Sequence, residues 1–420
     1  MPRAGVQASA QQALTRDWLA SQEDPVRQWL SGKPDLDTIL KLFPRTTGQP
    51  AFDPELIAAK ARLLQTRPPV QTGHLLLDDS VKVGLAHIDA TFVGDHPKYG
   101  VGAYRSEEHD GFPPTIIAAV DALSAWGMNE RAARLFRYWL LHFVRQDGTV
   151  NYYGPAISEY GQLLHTSALL AERAGPAGWW SEAFAPLNRI AELLLSLRAE
   201  AEKTGGLIAG VPEADTRKEV RRYFHNNAWV VKGLQRWAEL CMSQRACPST
   251  SIKVARRVAT GLQQDTLRAI EKTWPNDPSD WWLPPQVEPA PRPARLTGAP
   301  DLASYTNYRY WPELLSSGLL PQKLATRVVQ ARLSAGGQFC GMTRFADHLD
   351  DWPLTEYLNG LWSLGRKHDF LLSLFGHAAY HQAEGHLTAY EQVSFPPGVK
   401  RADCCLPCQL VAARVARRLQ

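Results

Sequence analysis

From about residue 54 onward, apolar side chains recur every three or four positions with polar ones between them. The two-residue alternation of half-buried strands is almost absent, so the pattern predicts an all-α chain. The stretch 184–203 is the plainest case: Leu187, Ile190, Leu193, Leu194 and Leu197 form one stripe, the shape of a helix seated on a core. The helices come in pairs: 112–126 with 129–145 across a tight Gly127-Met128-Asn129 turn, 158–173 with 181–203, 222–243 with 251–272, 309–317 with 321–335, and 353–366 with 368–384. A last helix over 406–419 is left to pair with one near 54–65, and another falls at 80–92. About six hairpins repeating every 45–65 residues or so predict a helical repeat closing into a toroid, with an open solenoid or an irregular bundle as the alternative. Residues 1–50 lack this rhythm and are expected to form an irregular arm with short helices at 11–30 and 35–43, leaving 51–420 as the toroid.

The connections divide into two sets. Those within a pair are short and bland, whereas those between pairs are long, aromatic and acidic. In chain order the rich loops are 94–112, 146–155, the Glu213 loop, 274–311, 341–352 and the Glu391 loop. Alternate connections of an antiparallel toroid share one end, so these loops are expected to converge on one mouth, with function on loops and rigidity in the scaffold.

Composition narrows the chemistry. The 420 residues, 45% hydrophobic and 21% charged, suit a globular protein with a sizeable core. A net charge of +4 is mild and its basic residues are scattered; Arg414, Arg417 and Arg418 read as the last turns of a helix, so no nucleic-acid partner is expected. No apolar run approaches the twenty or so residues of a membrane span, and the first thirty lack a signal-peptide core; the expectation is a soluble chain with no membrane partner, its location cytoplasmic or unassigned. The six cysteines form no disulfide pattern. Cys404, Cys405 and Cys408 cluster, but no His pair or second CxxC stands nearby to complete a zinc site. With no Gly-rich phosphate loop, HExxH, nucleophile elbow or EF-hand loop, neither metal nor cofactor is expected. The 14 Trp, 13 Tyr and 13 Phe often stand beside Asp and Asn, and flat apolar faces next to carboxylates and amides suit sugar rings.

Two rich loops each set a glutamate among aromatic and amide side chains. One reads Gly210-Val211-Pro212-Glu213-Ala214-Asp215, followed by Tyr223-Phe224-His225-Asn226-Asn227-Ala228-Trp229. The other runs from His386 through Tyr390-Glu391-Gln392-Val393 to Pro397. Two carboxylates across an aromatic-lined pocket are the equipment for breaking a glycosidic bond. In this organisation, over about 80–420, the chain resembles the six-hairpin (α/α)6 glycosidases: the glucoamylases, trehalases and processing glucosidases. At the level of motifs the resemblance is confined to the two glutamate loops. It implies a general acid in the third rich loop, where Glu213 stands and Asp215 rivals it. It implies a general base in the last rich loop, where Glu391-Gln392 matches and Val393 replaces the common aromatic. It also implies an Arg–Asp pair gripping the terminal sugar, for which Arg105 and Asp110 are counterparts at a different spacing. The resemblance suggests inversion, with carboxyls roughly 6.5–9.5 Å apart. Pro212 and Tyr223-Phe224 are placed to raise the acid's pKa by burial.

The remaining candidates each carry two readings. Arg105, Glu107, Glu108, His109 and Asp110 form either a grip on hydroxyls or a uronate, or a solvated charge run. His225, Asn226 and Asn227 either bind sugar hydroxyls or satisfy backbone. Glu159 is either a ligand or, with Ser158 as N-cap, a carboxylate favoured by the helix dipole; the same ambiguity holds for Asp350 and Asp351. Tyr153, Trp281, Trp282, Tyr308, Tyr310 and Trp311 are stacking platforms or core aromatics. The reading that joins these is a glycoside hydrolase acting on an oligo- or polysaccharide. Two competitors share the scaffold: a polysaccharide lyase or unsaturated-uronide hydrolase using Tyr160, His225, Asn226 and Arg105, and a non-catalytic carbohydrate-binding toroid.

Overall fold

The computed structural model describes residues 70–98, 107–152, 156–175, 178–214, 217–245, 247–273, 282–290, 296, 302–345, 348–383, 387–394 and 405–420. The arm expected over 1–50 and the helix near 54–65 lie outside them. The described chain is all-α in class, as its periodicity predicts, with only short strands. It divides into two compact units, one of residues 88–292 with 317–321 and the other of the remaining described residues. Among the described residues no helix is long and apolar enough to cross a membrane.

Helix α1 (Leu75–Thr91) spans the division. In the first unit it leads into a small hairpin, β1 (Phe92–Val93) with β2 (His96–Pro97), and one turn of helix, α2 (Glu107–Asp110). Three helical pairs follow: α3 (Pro113–Ala125) with α4 (Asn129–Phe143), α5 (Ile157–Ala174) with α6 (Trp180–Glu202), and α7 (Phe224–Gln244) with α8 (Ser249–Thr273). Pro113 and Pro114 open α3, where a missing N–H leaves nothing unpaired. The leading helix of each pair is buried on most sides. Its follower is amphipathic: α8 buries only Ala255, Ala259, Leu262, Thr266 and Ile270, a single stripe at three- and four-residue spacing.

Helices α5 and α7 meet backbone to backbone. A Cβ added to Gly161 would lie 2.2 Å from the Trp229 carbonyl oxygen, and one added to Gly233 would lie 2.6 Å from the Gly161 Cα. Beside this contact, His165 packs its ring against Trp229, with centroids 5.8 Å apart. The ring keeps an accessible edge, but its Nδ1 is sealed from water. Burial first, and then the nearby Lys232 and Arg236 cations, push its pKa down to about 3.

The second unit holds α9 (Leu302–Tyr305), a π turn over Thr306–Tyr310, α10 (Trp311–Ser317, of which 317 falls in the first unit) and α11 (Gln322–Ser334). The stretch expected as the fifth rich loop is a sheet. Strands β3 (Gln338–Phe339), β4 (Met342–Phe345), β5 (His348–Asp350) and β6 (Gln392–Ser394) pair antiparallel in that order. Strands of two to four residues are too short to show an alternating rhythm in sequence. Helices α12 (Leu354–Ser363) and α13 (Lys367–Gly376) separate β5 from β6, and a π turn over His377–His381 extends α13. The single helix expected over 406–419 is broken at Leu410 into α14 (Leu406–Gln409) and α15 (Val411–Val415), followed by a 3-10 turn over Ala416–Leu419. Under the sheet, fully buried Arg332 donates to Asn307 Oδ1 (3.2 Å) and Thr343 Oγ1 (3.0 Å) and lies 4.1 Å over the Tyr357 ring. Burial pushes its pKa down to about 10, which leaves it charged at neutral pH. Asn307 in turn donates to the carbonyls of Gly337 and Arg344, so one polar node joins the π turn, α11 and the sheet.

Two outcomes are expected. Gly161→Ala forces a methyl into a carbonyl that cannot yield, and should lower the urea midpoint by a stability loss of about 2–3 kcal/mol with m unchanged. His165 is held neutral when folded, so the unfolded chain takes up a proton at this position first as pH falls. Stability should drop as pH goes from about 6.5 towards 3, by at most about 2 kcal/mol between pH 7 and 5. Urea titrations at the two pH values should show a flatter dependence in His165→Phe.

Candidate functional site

The two glutamates fall in different units, and each is held by its own surroundings. Glu213 is buried in the loop before α7, and its Oε1 accepts the Arg217 N–H at 3.0 Å. The first turn of α7 braces this loop. Asn226 Nδ2 donates to the Val211 carbonyl at 2.9 Å and its Oδ1 accepts the Ser158 N–H at 3.3 Å. His225 Nε2 lies 3.2 Å from the Pro212 carbonyl, so that nitrogen carries the proton. Asn227 bridges Ile208 on both its N–H and C=O. Ala156 and Val211 add a parallel bridge between the start of α5 and the loop. His225, Asn226 and Asn227 thus each hold backbone, and the first two fix the Val211 and Pro212 carbonyls just before Glu213.

Glu391 is half-buried and immediately precedes β6. Its carbonyl accepts the Asp351 N–H at 2.9 Å, and the Tyr390 N–H donates to the His381 carbonyl at 2.9 Å. Register does the rest: Asp350 pairs Gln392, and Leu349 pairs Val393. Behind the glutamate is a sealed polar cluster. Asp351 and His381 are fully buried and His377 almost so. His377 Nδ1 bonds the Asp351 carboxylate, and His381 Nδ1 donates to the Tyr390 carbonyl at 2.8 Å with Asp351 at 3.8 Å. Burial keeps His381 below the usual imidazole range, partly offset by Asp351. Next to it, buried Asp350 takes His348 Nε2 at 3.3 Å, Gln392 Nε2 at 3.3 Å and the Trp352 N–H at 3.0 Å.

The other expected site residues are placed as follows. Asp110 is buried, with its Oδ2 3.0 Å from His96 Nε2 and 2.8 Å from Lys98 Nζ. Glu159 is buried in the first turn of α5; that helix begins after Ala156, so Ser158 is not its cap. Tyr308 packs against Phe345 with centroids 4.6 Å apart, and Tyr310 and Trp311 are interior aromatics. Arg105, Tyr153, Asp215 and Trp281 lie outside the described residues.

Further polar groups stand close to the expected ones. His377 and His381 stand four apart, a helical spacing that puts both on one side, yet nothing local links them to Asp351. Cys405 and Cys408 lie beside Glu391, their pKa values pushed up by burial, Cys405 to about 12 and Cys408 well above the usual thiol value. Arg309 and Glu313 form a buried ion pair of 2.6 Å across the start of α10.

No protein-family model matches the chain, and no curated protein sequence matches it. Solved structures do. A glycosidase carrying a glutamate-to-alanine substitution matches over 84% of this chain and 99% of its own, at TM-score 0.55 and 14% identity. A glycosidase with another glutamate-to-alanine substitution, in complex with glucose, matches over the same shares at TM-score 0.54 and 14% identity. At this identity the likeness is one of fold: the chain has the helical fold of these glycosidases.

Asp351→Leu should remove the partner of His377 and unpin the Glu391 loop. The expected cost is about 1–3 kcal/mol for each buried group left unsatisfied. Amide hydrogen exchange should rise over 387–394 and stay unchanged over α3 to α8; unaltered protection at Tyr390 would show that the cluster does not hold the loop.

Proposed function

We propose that this chain is a glycoside hydrolase that cleaves the terminal glycosidic bond of an oligo- or polysaccharide, on an (α/α)6 toroid formed by residues 51–420. Glu213 is the general acid and protonates the leaving oxygen. Glu391 is the general base and activates a water on the opposite face of the sugar. Asp215 is the second candidate for the acid. The mechanism is inverting and requires the two carboxyls roughly 6.5–9.5 Å apart. Arg105 and Asp110 grip the terminal sugar, with Tyr153, Glu159, Trp281, Tyr308 and Asp351 lining or supporting its pocket.

The observation that carries this reading is the fold likeness to glycosidases over 84% of the chain, with glutamates in the two loops where such chemistry is expected. Local structure supports it. The Arg217 N–H bonds the Glu213 carboxylate, Asn226 of α7 braces the Val211 carbonyl ahead of it, and the Asp351 N–H holds the Glu391 carbonyl, which is the preorganisation that acid and base groups need. The eliminating alternative loses support at its base: burial pushes the Tyr160 hydroxyl up to about 12, and Asn226 spends its amide on backbone. The glucose held by one structural neighbour makes a terminal hexose the first substrate to try.

A panel of oligosaccharides and aryl glycosides, with the product anomer read by NMR, tests the proposal. Glu213→Gln and Glu391→Gln should each lower kcat by about 10²–10⁴ on whichever glycoside is turned over. Full activity in both variants sinks the assignment. Sugar affinity without turnover in the unsubstituted protein would instead identify a binding toroid.

A further inference from the structure

The loop that carries Glu391 is clamped to the C-terminal helices by one side chain. Gln409 accepts the Ala389 N–H on its Oε1 at 2.8 Å and returns a hydrogen bond from Nε2 to the Ala389 carbonyl. A Cβ on Gly84 of α1 would lie 2.5 Å from the Gln409 carbonyl, so the clamp is itself wedged in place. The residue before Gln409 is Cys408, and Ala389 stands two before Glu391. The clamp therefore brings a C-x-x-C pair, Cys405 and Cys408, against the glutamate. The donor atoms of Glu391, Cys405 and Cys408 all lie within 4.8 Å of one another, and the two sulfurs are 3.1 Å apart. Cys408 is fully buried and Cys405 nearly so, and the Cys405 thiol hydrogen-bonds the Glu391 side chain.

We propose that Glu391, Cys405 and Cys408 form a binding site for a soft divalent metal ion of the zinc or cadmium class, and that filling it withdraws the Glu391 carboxylate from hydrolysis. Two sulfurs and one carboxylate oxygen are a donor set for such ions; calcium and magnesium require oxygens. Tetrahedral coordination with metal–sulfur bonds of about 2.3 Å spaces two sulfurs about 3.8 Å apart, so the pair needs to open by only about 0.7 Å. The trio supplies three donors, and a water or an added ligand would complete the tetrahedron. Binding replaces two thiol protons with the ion: M²⁺ and two R–SH give M(SR)₂ and two H⁺, with no change of oxidation state. Ligation takes both cysteines as thiolates and releases their protons, so affinity rises with pH. The inhibitory half rests on Glu391 being the base; the metal site does not.

The test uses the full chain, chelator-stripped and kept reduced. Cadmium is titrated in while thiolate-to-cadmium absorption in the ultraviolet is followed, and zinc is then used in competition. One equivalent should bind, the signal should vanish in Cys408→Ala, and it should survive in Cys247→Ser, which removes one member of the Cys241–Cys247 thiol pair, whose sulfurs are 2.6 Å apart. Glu391→Gln keeps both thiols and should weaken binding at least tenfold, which holds the test open if Cys408→Ala fails to fold. Stoichiometric zinc should abolish any glycosidase activity of the unsubstituted protein and spare that of Cys408→Ala. No absorption at one equivalent, or an equal signal in Cys408→Ala, overturns the site. Metal bound by this trio with hydrolysis undiminished overturns the inhibitory half and removes Glu391 from the base role, while the metal site itself stands.

Discussion

Where two helix backbones touch, nothing around them can slide. Gly161 of α5 and Gly233 of α7 make such a contact, with the Trp229 carbonyl filling the space a side chain would need. Close approach sets the rotation and height of one helix on the other, because a methyl on either side would collide with main chain rather than with a side chain able to move. Both helices begin within three turns of the contact. Ser158 and Asn226, at those beginnings, are therefore held within hydrogen-bonding reach, and from Asn226 the constraint passes to Val211 and the backbone around Glu213. A pair of residues without side chains thus reaches the backbone around Glu213 through Asn226, about 10 Å along α7 from Gly233 at about 1.5 Å of rise per residue.

The second unit solves the same problem with polar chemistry. A carboxylate sealed from water is costly unless it is bonded, and Asp351 meets that condition through His377 while its own N–H holds the Glu391 carbonyl. His381 then ties the preceding Tyr390 at both its carbonyl and its N–H. One glutamate loop is located by close packing and amides, the other by a buried acid–imidazole cluster and a strand register. The difference predicts different sensitivities: the first to added volume, the second to anything that changes protonation or removes a hydrogen-bonding partner.

The helical pairs of the first unit were legible because each trailing helix shows water one face and the core another; α4 and α8 carry that contrast in every turn. The sheet was not, since a strand such as Gln338–Phe339 has no room for a period. The side chains around the glutamates were legible as types and not as roles. His225, Asn226 and Asn227 read equally well as sugar ligands or as backbone braces, and only the positions of Val211, Pro212 and Ile208 decide between them. Cys405 and Cys408 are more instructive still. A search along the chain for further cysteines or histidines finds no zinc pattern, because the third donor is a glutamate that the Gln409 clamp brings in through the fold.

That clamp also explains why two kinds of chemistry meet at one residue. The proposed base must be oriented by its neighbours, and helix α14 is what the Glu391 loop leans on. Burying that contact calls for small, apolar side chains with tolerant geometry, a description that fits a protonated cysteine as well as alanine. Once such thiols sit beside a carboxylate, removing two protons is enough to turn a packing surface into a set of metal ligands. The packing that holds the proposed base in place is therefore the same packing that would let a soft metal ion capture it.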